Sequence, residues 1–442
     1  MSLVEEVRRA GVVGAGGGGF PAHVKLGARV EYLIANGAEC EPLMHKDAEL
    51  MAHAASQVVE GMEAAMGACG AARGIVGIKA KHAEAVAAFE RVLPGRPVEL
   101  HLLGDFYPTG DEFVLVHETT GRLIPPGGLP HQVGALVQNV ETLYNIAAAR
   151  RGRPVTRKFL TVAGAVRRPF SAAVPVGISF RELLGLAGGA TAEPCALLVG
   201  GAMMGRLTRN LDECVEKTTG GLIALPGDHA LVRRKERPEA SMHRIGKSAC
   251  DQCSYCTELC PRYLLGYQVE PHKVMRSLGF TLAGEDFWNK AGLLCCECSL
   301  CTLYACPEDL YPREACQQAK RQLRLKGLLD QARAAVAAGP PQPHPLHESR
   351  RIPLKQLIQR LGLREYDAPA PLAEPSYAPA RVRLALVQHA GAPAQPVVEV
   401  GAQVEEGQLV AQVPEGALGA PLHASIRGRV RAVSPHLEIE AG

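Results

Sequence analysis

Over residues 1–150, short apolar runs, glycine-rich turns and Ala-rich stretches succeed one another. One such stretch, Ala48 to Met66, is spaced as a helix, and the mixture reads as α/β. Residues 151–240 hold two strand-like runs, Phe159 to Val166 and Ala196 to Val199, with a helical stretch, Ser179 to Ala187, between them. Residues 241–335 are dense in cysteine and lead into a basic pattern that predicts a helix from Pro312 to Ala338. Gly339 to Pro345 (GPPQPHP) breaks that pattern, and Ile352 to Leu363 predicts one more helix. The Pro/Ala-rich stretch Asp367 to Ala380 predicts extended, unpacked chain, so 336–381 reads as a linker. In 382–442, short apolar runs between glycine turns predict a small β-domain. No apolar run approaches the length that spans a bilayer, so no transmembrane segment is expected. The N-terminal MSLVEEVRRAG mixes acids with bases and lacks the apolar centre of a secretory signal, which implies a cytoplasmic chain.

Composition adds little until the cysteines. The 442 residues suffice for three or four domains, and 47% are hydrophobic and 21% charged. A formal charge of +3 gives no reason to expect nucleic acid or an anionic membrane as partner. Of 14 cysteines, Cys40, Cys69, Cys195, Cys214 and Cys316 are scattered and the rest fall between Cys250 and Cys306. In a cytoplasmic chain that clustering favours metal ligation over disulfides. The 15 histidines form no H-x3-H or H-E-x2-H motif, which argues against a catalytic zinc.

The first run is Cys250-x2-Cys253-x2-Cys256-x3-Cys260-Pro261, the spacing by which bacterial ferredoxins hold [4Fe–4S] clusters. Three thiolates in one tight loop face three irons, and the fourth cysteine points to a second cluster. The second run, Cys295-x2-Cys298-x2-Cys301-x4-Cys306-Pro307, is one residue longer before its last cysteine. By this logic Cys250, Cys253, Cys256 and Cys306 bind one cluster, and Cys295, Cys298, Cys301 and Cys260 the other. Cys296 is either a spare or the alternative to Cys295. The competing reading is a pair of zinc sites, but zinc usually takes paired cysteines rather than three ligands and a distant fourth.

Gly14-Ala15-Gly16-Gly17-Gly18-Gly19-Phe20-Pro21 contains a formal G-x-G-x-x-G. Glycine lets backbone N–H groups approach a phosphate, and Lys25 supplies a charge nearby. The bland reading is a flexible turn. Only Val12-Val13 precedes it as a strand, so a standard Rossmann unit is a poor fit. About twenty residues on, Asn36-Gly37-Ala38-Glu39-Cys40-Glu41-Pro42 offers acids of the kind that meet a ribose.

GAGGGGFPAHVKL (14–26) and NGAECEP (36–42), with YPTGDE (107–112), IPPGGLP (124–130) and VQNVETL (137–143), resemble the flavin- and NADH-binding domain shared by two respiratory proteins, the flavin-bearing subunit of complex I and the RnfC-type subunit of the Rnf complex. Residues 155–189 resemble a soluble-ligand-binding β-grasp (SLBB) module. HLLGDFYPTGDE, KTTGG (217–221) and GALGAPLHASIRG (416–428) resemble the cobalamin reductases of bacterial microcompartments. The tail resembles a barrel-sandwich hybrid, but neither its hairpin Pro414 to Pro421 nor the rest of the tail carries the lysine of a swinging-arm carrier.

The resemblance implies a multidomain α/β protein. Its parts are a Rossmann-like FMN/NADH domain (1–150), an SLBB β-grasp domain (151–240), a bacterial-ferredoxin-like 2[4Fe–4S] domain (241–335), a linker (336–381) and a C-terminal barrel-sandwich hybrid (382–442). It places Gly14, Gly16, Gly17, Gly19 and Lys25 along the FMN phosphate and the dinucleotide, with Phe20 near the nicotinamide or adenine. Asn36 and Glu39 would reach the flavin, Glu41 would lie nearer NADH, and Asp111 and Glu112 would lie beside the nicotinamide. Gln138, Asn139 and Thr142 would sit at the flavin phosphate. Ala38 stands where complex I has an acid, and Gly18 and Ala22 replace an alanine and a threonine, changes that bear on the dinucleotide contacts. The implied activity is NADH oxidation, with single electrons passing through two [4Fe–4S] clusters to a corrinoid or other one-electron acceptor. The implied setting is a microcompartment, with a shell protein or an adenosyltransferase as further partner. An Rnf-type subunit feeding a membrane complex, or a non-enzymatic iron–sulfur scaffold or redox sensor, are the competing expectations.

Overall fold

The computed structural model of the chain describes residues 1–279, 288–336, 339–374 and 377–442. After α1 (Leu3–Arg9) the glycine loop leads into the single turn α2 (Ala22–Lys25). Four parallel strands follow, β1 (Tyr32–Gly37), β2 (Arg73–Lys79), β3 (Val98–Leu103) and, beyond the short β4 (Phe106–Tyr107), β5 (Ala135–Asn139). They lie in the order β3-β2-β1-β5. The crossovers are α3 (Lys46–Cys69), α4 (Ala83–Val92) and α5 (Glu112–Thr120), and α6 (Val140–Arg150) follows β5. Helices on both faces explain why β1 reads as an unbroken apolar run. Leu33 and Ala35 pack on the α3 and α6 side, and Ile34 packs with Leu115 and Val116 of α5 on the other. α3 and α6 touch closely at Gly61, where a Cβ would collide with the Leu143 carbonyl oxygen.

The second region is a mixed sheet of β6 (Arg157–Gly164), β7 (Phe170–Pro175), β8 (Cys195–Val199), β9 (Arg206–Thr208) and β10 (Gly221–Pro226), in the order β7-β6-β10-β8-β9. β6 and β10 run parallel and the other pairs antiparallel. The helix expected over Ser179 to Ala187 spans Phe180–Leu186, started by a capping box in which Ser179 and Glu182 satisfy each other's backbone N–H groups. In the C-terminal region, strands Arg381–Ala385, His436–Ala441, Gly428–Ala432 and Gln403–Val404 form one antiparallel sheet. Gln395–Pro396, Leu409–Gln412 and Leu422–His423 form another, and Val382, Val410, Val430 and Ile439 fill the space between them. No helix among the described residues is long and apolar enough to cross a membrane.

Two expectations change. The basic helix predicted from Pro312 to Ala338 is two helices, Pro312–Leu325 and Leu329–Val336, and residues 337–338 lie outside the described residues. Gly327 ends the first at φ +69°, and the Leu328 N–H reaches back to the Leu323 carbonyl, a glycine stop that a run of basic and apolar residues conceals. The stretch 336–381 is also no free linker. Ile352–Pro353 pairs antiparallel with β4, and Leu354, Leu357, Ile358 and Leu363 are buried against β8, β10 and the cysteine region. Asp367 to Ala380 is extended, as expected, but it is pinned. The Ser171 N–H donates to Pro371 O and the Ala373 N–H to Ser171 O, at 2.9 and 2.7 Å, while residues 375–376 lie outside the described residues.

Candidate functional site

The strand order reverses between β1 and β5, since the chain leaves β1 for β2 on one side and later returns to its other side. Carboxyl ends at such a reversal open a crevice where open α/β sheets bind ligands. The glycine loop lies there. Gly16, Gly17 and Gly18 are exposed, Gly17 has φ +107°, and a Cβ on Gly17 or Gly18 would meet nothing within 4 Å. The loop is fixed from below, where the Ala15 N–H donates to Thr142 Oγ1 at 3.0 Å. Asn139 caps α6 by accepting from the Glu141 N–H and donates to Asp47 Oδ2, both at 2.9 Å. Gln138, only 3% exposed, has no partner for its Nε2 among the described residues. A buried amide without an acceptor is costly, so this donor points to a ligand in the crevice.

The other expected contacts divide. Lys25 Nζ donates to Val137 O at 3.2 Å and stands 3.4 Å from Glu112 Oε1, with both side chains about one-third exposed and available. Asn36 folds back to accept from the Ala38 N–H and donates to Gly110 O, so it shapes the β1 end and the turn before α5. Glu39 lies beside Asp47 and Lys46, and burial, followed by the Asp47 charge, pushes its carboxyl up. Glu41 turns away from the crevice and accepts from the Met203 and Met204 N–H groups at 2.7 and 2.8 Å; burial pushes it up to about 7. Asp111 also turns away. Its Oδ1 caps α5 through the Phe113 and Val114 N–H groups, and its Oδ2 accepts from Arg262 at 2.8 Å.

Sequence reasoning missed what lies under the loop. Lys46, Asp47, Glu141 and Lys158 form a fully buried set in which Lys158 donates to Glu141 and, at 3.1 Å, to Ala15 O. Burial pushes Lys158 down to about 8. These four come from α3, α6 and β6, and no local motif joins them. From above, the Ala390 N–H donates to Gly19 O at 3.0 Å, and a Cβ on Gly19 would fall 2.9 Å from Thr218 Cγ2. Lys217, 2% exposed, donates to Gly11 O and Pro421 O, both at 2.8 Å, and ties three regions together without an acid; burial pushes it down to about 7. The KTTGG segment flagged Lys217 and Thr218 without saying what they do.

The two cysteine runs adopt one geometry twice. Gln252 and Ser254 have φ +63° and +65°, and Glu297 and Ser299 have +60° and +66°. These angles align Cys295, Cys298 and Cys301 with Cys250, Cys253 and Cys256. Cys260 and Cys306 match as well, with φ/ψ of −71°/121° and −75°/118°, each before a proline. The extra residue before Cys306 is absorbed by a π-helical turn, Cys301–Ala305, in which the Cys306 N–H bonds the Cys301 carbonyl. Cys250, Cys253, Cys256 and Cys306 line one small cavity. Cys260 faces Cys295 and Cys296 across the second loop. Cys295 bonds Cys316, and Cys296 bonds Cys298.

The crevice and the cysteine region share buried walls. Tyr107 Oη donates to Cys298 O and Tyr267 Oη to Ile124 O, each at 2.7 Å. Phe106 and Val114 pack with Cys260, and Leu43 and Tyr107 with Cys298. The residues present thus fit a flavin, through an open glycine loop and an orphaned buried donor, and they fit iron–sulfur ligation, through repeated thiol-lined loops.

Family models match the chain as the Nuo51 FMN-binding domain (7–148), the SLBB domain (159–207), the 4Fe-4S dicluster domain (249–311) and the RnfC barrel sandwich hybrid domain (368–442). An FMN-binding domain and a 4Fe-4S dicluster domain are therefore present. Cobalamin reductase PduS of Citrobacter freundii is 45% identical over 98% of this chain and 95% of its own. The Salmonella typhimurium protein of that name is 45% identical over 97% and 94%. A more distant relative, the RnfC-type component of the proton-translocating ferredoxin:NAD(+) oxidoreductase complex of Clostridium ljungdahlii, is 34% identical over 58% of this chain and 55% of its own. With the 45% identity held over nearly its whole length, the chain is a flavin and iron–sulfur electron-transfer protein that belongs to the family of the cobalamin reductase PduS.

Proposed function

We propose that the chain oxidises NADH at the β1/β5 crevice and delivers single electrons through two [4Fe–4S] clusters to a corrinoid. The observation that carries this reading is the shared buried wall between crevice and cysteine loops, since tunnelling needs a short, packed path. FMN would be held by Gly14, Gly16, Gly17 and Gly19 at its phosphate, by Gln138 through its free amide, and by Asn139 and Thr142, which hold the loop in place. Lys25 and Glu112 are left for the dinucleotide, with Phe20 beside it. When bound, the flavin takes a hydride and gives up electrons one at a time. Asn36 shapes the crevice, and Glu39 stands over the buried charges.

Cys250, Cys253, Cys256 and Cys306 would hold one cluster and Cys260, Cys295, Cys298 and Cys301 the other. The repeated angles favour Cys295 over Cys296. In anaerobically purified protein, Cys295→Ser should lose iron and one of two cluster EPR signals, while Cys296→Ser keeps both. The reverse result would move the ligand to Cys296. The acceptor is tested by mixing holoprotein with NADH and cob(III)alamin under argon. Corrinoid reduction that depends on the protein supports the reading. NADH oxidation without it would leave an electron-transfer protein for another acceptor. The domain bounds at 150, 240, 335 and 381 belong to the same proposal, as does placement in a microcompartment beside a shell protein or an adenosyltransferase.

A further inference from the structure

Arg262 follows Cys260-Pro261 and is buried, its side chain 10% exposed. Three observations fix what it faces. Asp111, on the far side of the domain boundary, accepts from Nη2 at 2.8 Å and is itself held by two backbone N–H groups of α5. The Phe113 ring lies under the guanidinium, 3.5 Å from its carbon. On the other side the guanidinium donates to the Cys296 thiol, and its buried Nε has no acceptor among the described residues. A rigid cation with an unused N–H is therefore clamped by the nucleotide domain and aimed at the sulfurs around Cys260 and Cys296.

We propose that Arg262 is a positioning residue by which the nucleotide domain raises the reduction potential of the cluster held by Cys260, Cys295, Cys298 and Cys301. The inference rests on the two-cluster reading above. Reduction adds one electron, and one negative charge, to a cluster. A fixed positive charge and an N–H directed at its sulfurs favour that state. The cluster that abuts the flavin domain is thereby the better acceptor of the first electron. Asp111 keeps the arginine in place and, on this account, does not contact the nicotinamide.

The test is a dithionite titration of anaerobic holoprotein, followed by EPR, with iron content and far-UV circular dichroism measured on each variant. Arg262→Gln should move one cluster to more negative potential by at least a tenfold change in its reduction equilibrium, about 59 mV for one electron, and leave the other unmoved. Arg262→Lys retains the charge and should shift the same cluster by less. If Arg262→Gln assembles poorly, Arg262→Lys alone still decides, because loss of the fork geometry should lower only that one potential. Equal shifts in both clusters, or none in either variant, would overturn the role of Arg262. If the unmodified protein itself shows a single cluster, the two-cluster reading fails instead, and iron content tells the two failures apart.

Discussion

Gln138 and Lys217 are both buried polar side chains, and they lead to opposite expectations. Gln138 keeps a donor with no partner, so a ligand should complete it. Gln138→Leu should fold normally and bind FMN about tenfold more weakly, in line with about 1 kcal/mol for one hydrogen bond; flavin fluorescence after filtration would show it. Lys217 is already completed by two carbonyls, and its cost is its charge. Its folded pKa, about 7, lies below its value in the unfolded chain, so between about pH 7 and pH 10 the unfolded chain binds the extra proton. Stability should rise with pH across that window, and urea unfolding of Lys217→Met should show a shallower rise. Site residues differed in how far sequence alone revealed them. The cysteine ligands and the glycine loop could be read because their chemistry requires a fixed local spacing. The directions of Glu41 and Asp111 could not, because their partners, Met203, Met204 and Arg262, lie more than a hundred residues away and no spacing encodes them.

Among the elements, periodicity found those with one clear face and missed those whose ends are set by single residues. The helix at Ser179 carries its own start signal in Ser179 and Glu182 and was expected almost to the residue. The helix from Pro312 was extended too far because Gly327 stops it within an uninterrupted basic pattern. The π-helical turn at Cys301–Ala305 explains how an unequal spacing keeps Cys306 in the same backbone state as Cys260. The parallel strands could be read only as a class, since strands buried on both faces lack alternation. The contact of α3 with α6 yields a sharper expectation. Gly61→Ala would force the helices apart and should cost about 3 kcal/mol, seen as a lower urea midpoint with an unchanged slope. A neutral result would mean that the two helices do not pack as closely as described.

At the scale of the whole molecule, the regions are not beads on a string. The stretch expected to be a linker is built into the walls of β4 and β7, the C-terminal sheets reach the glycine loop through Ala390, and Lys217 joins three regions at one point. Such closure was not legible because each surface looks like an ordinary apolar or polar run until its partner is present. Its consequence is that crevice and cysteine loops form one packed body, which is what the proposed electron path requires. The most direct test is an anaerobic NADH titration of iron-replete holoprotein, followed by visible absorbance and EPR. The account predicts that the flavin band bleaches and that the cluster signals then appear, the cluster beside Arg262 first. A flavin that bleaches while both clusters stay oxidised would contradict a continuous path from the crevice to the cysteine loops.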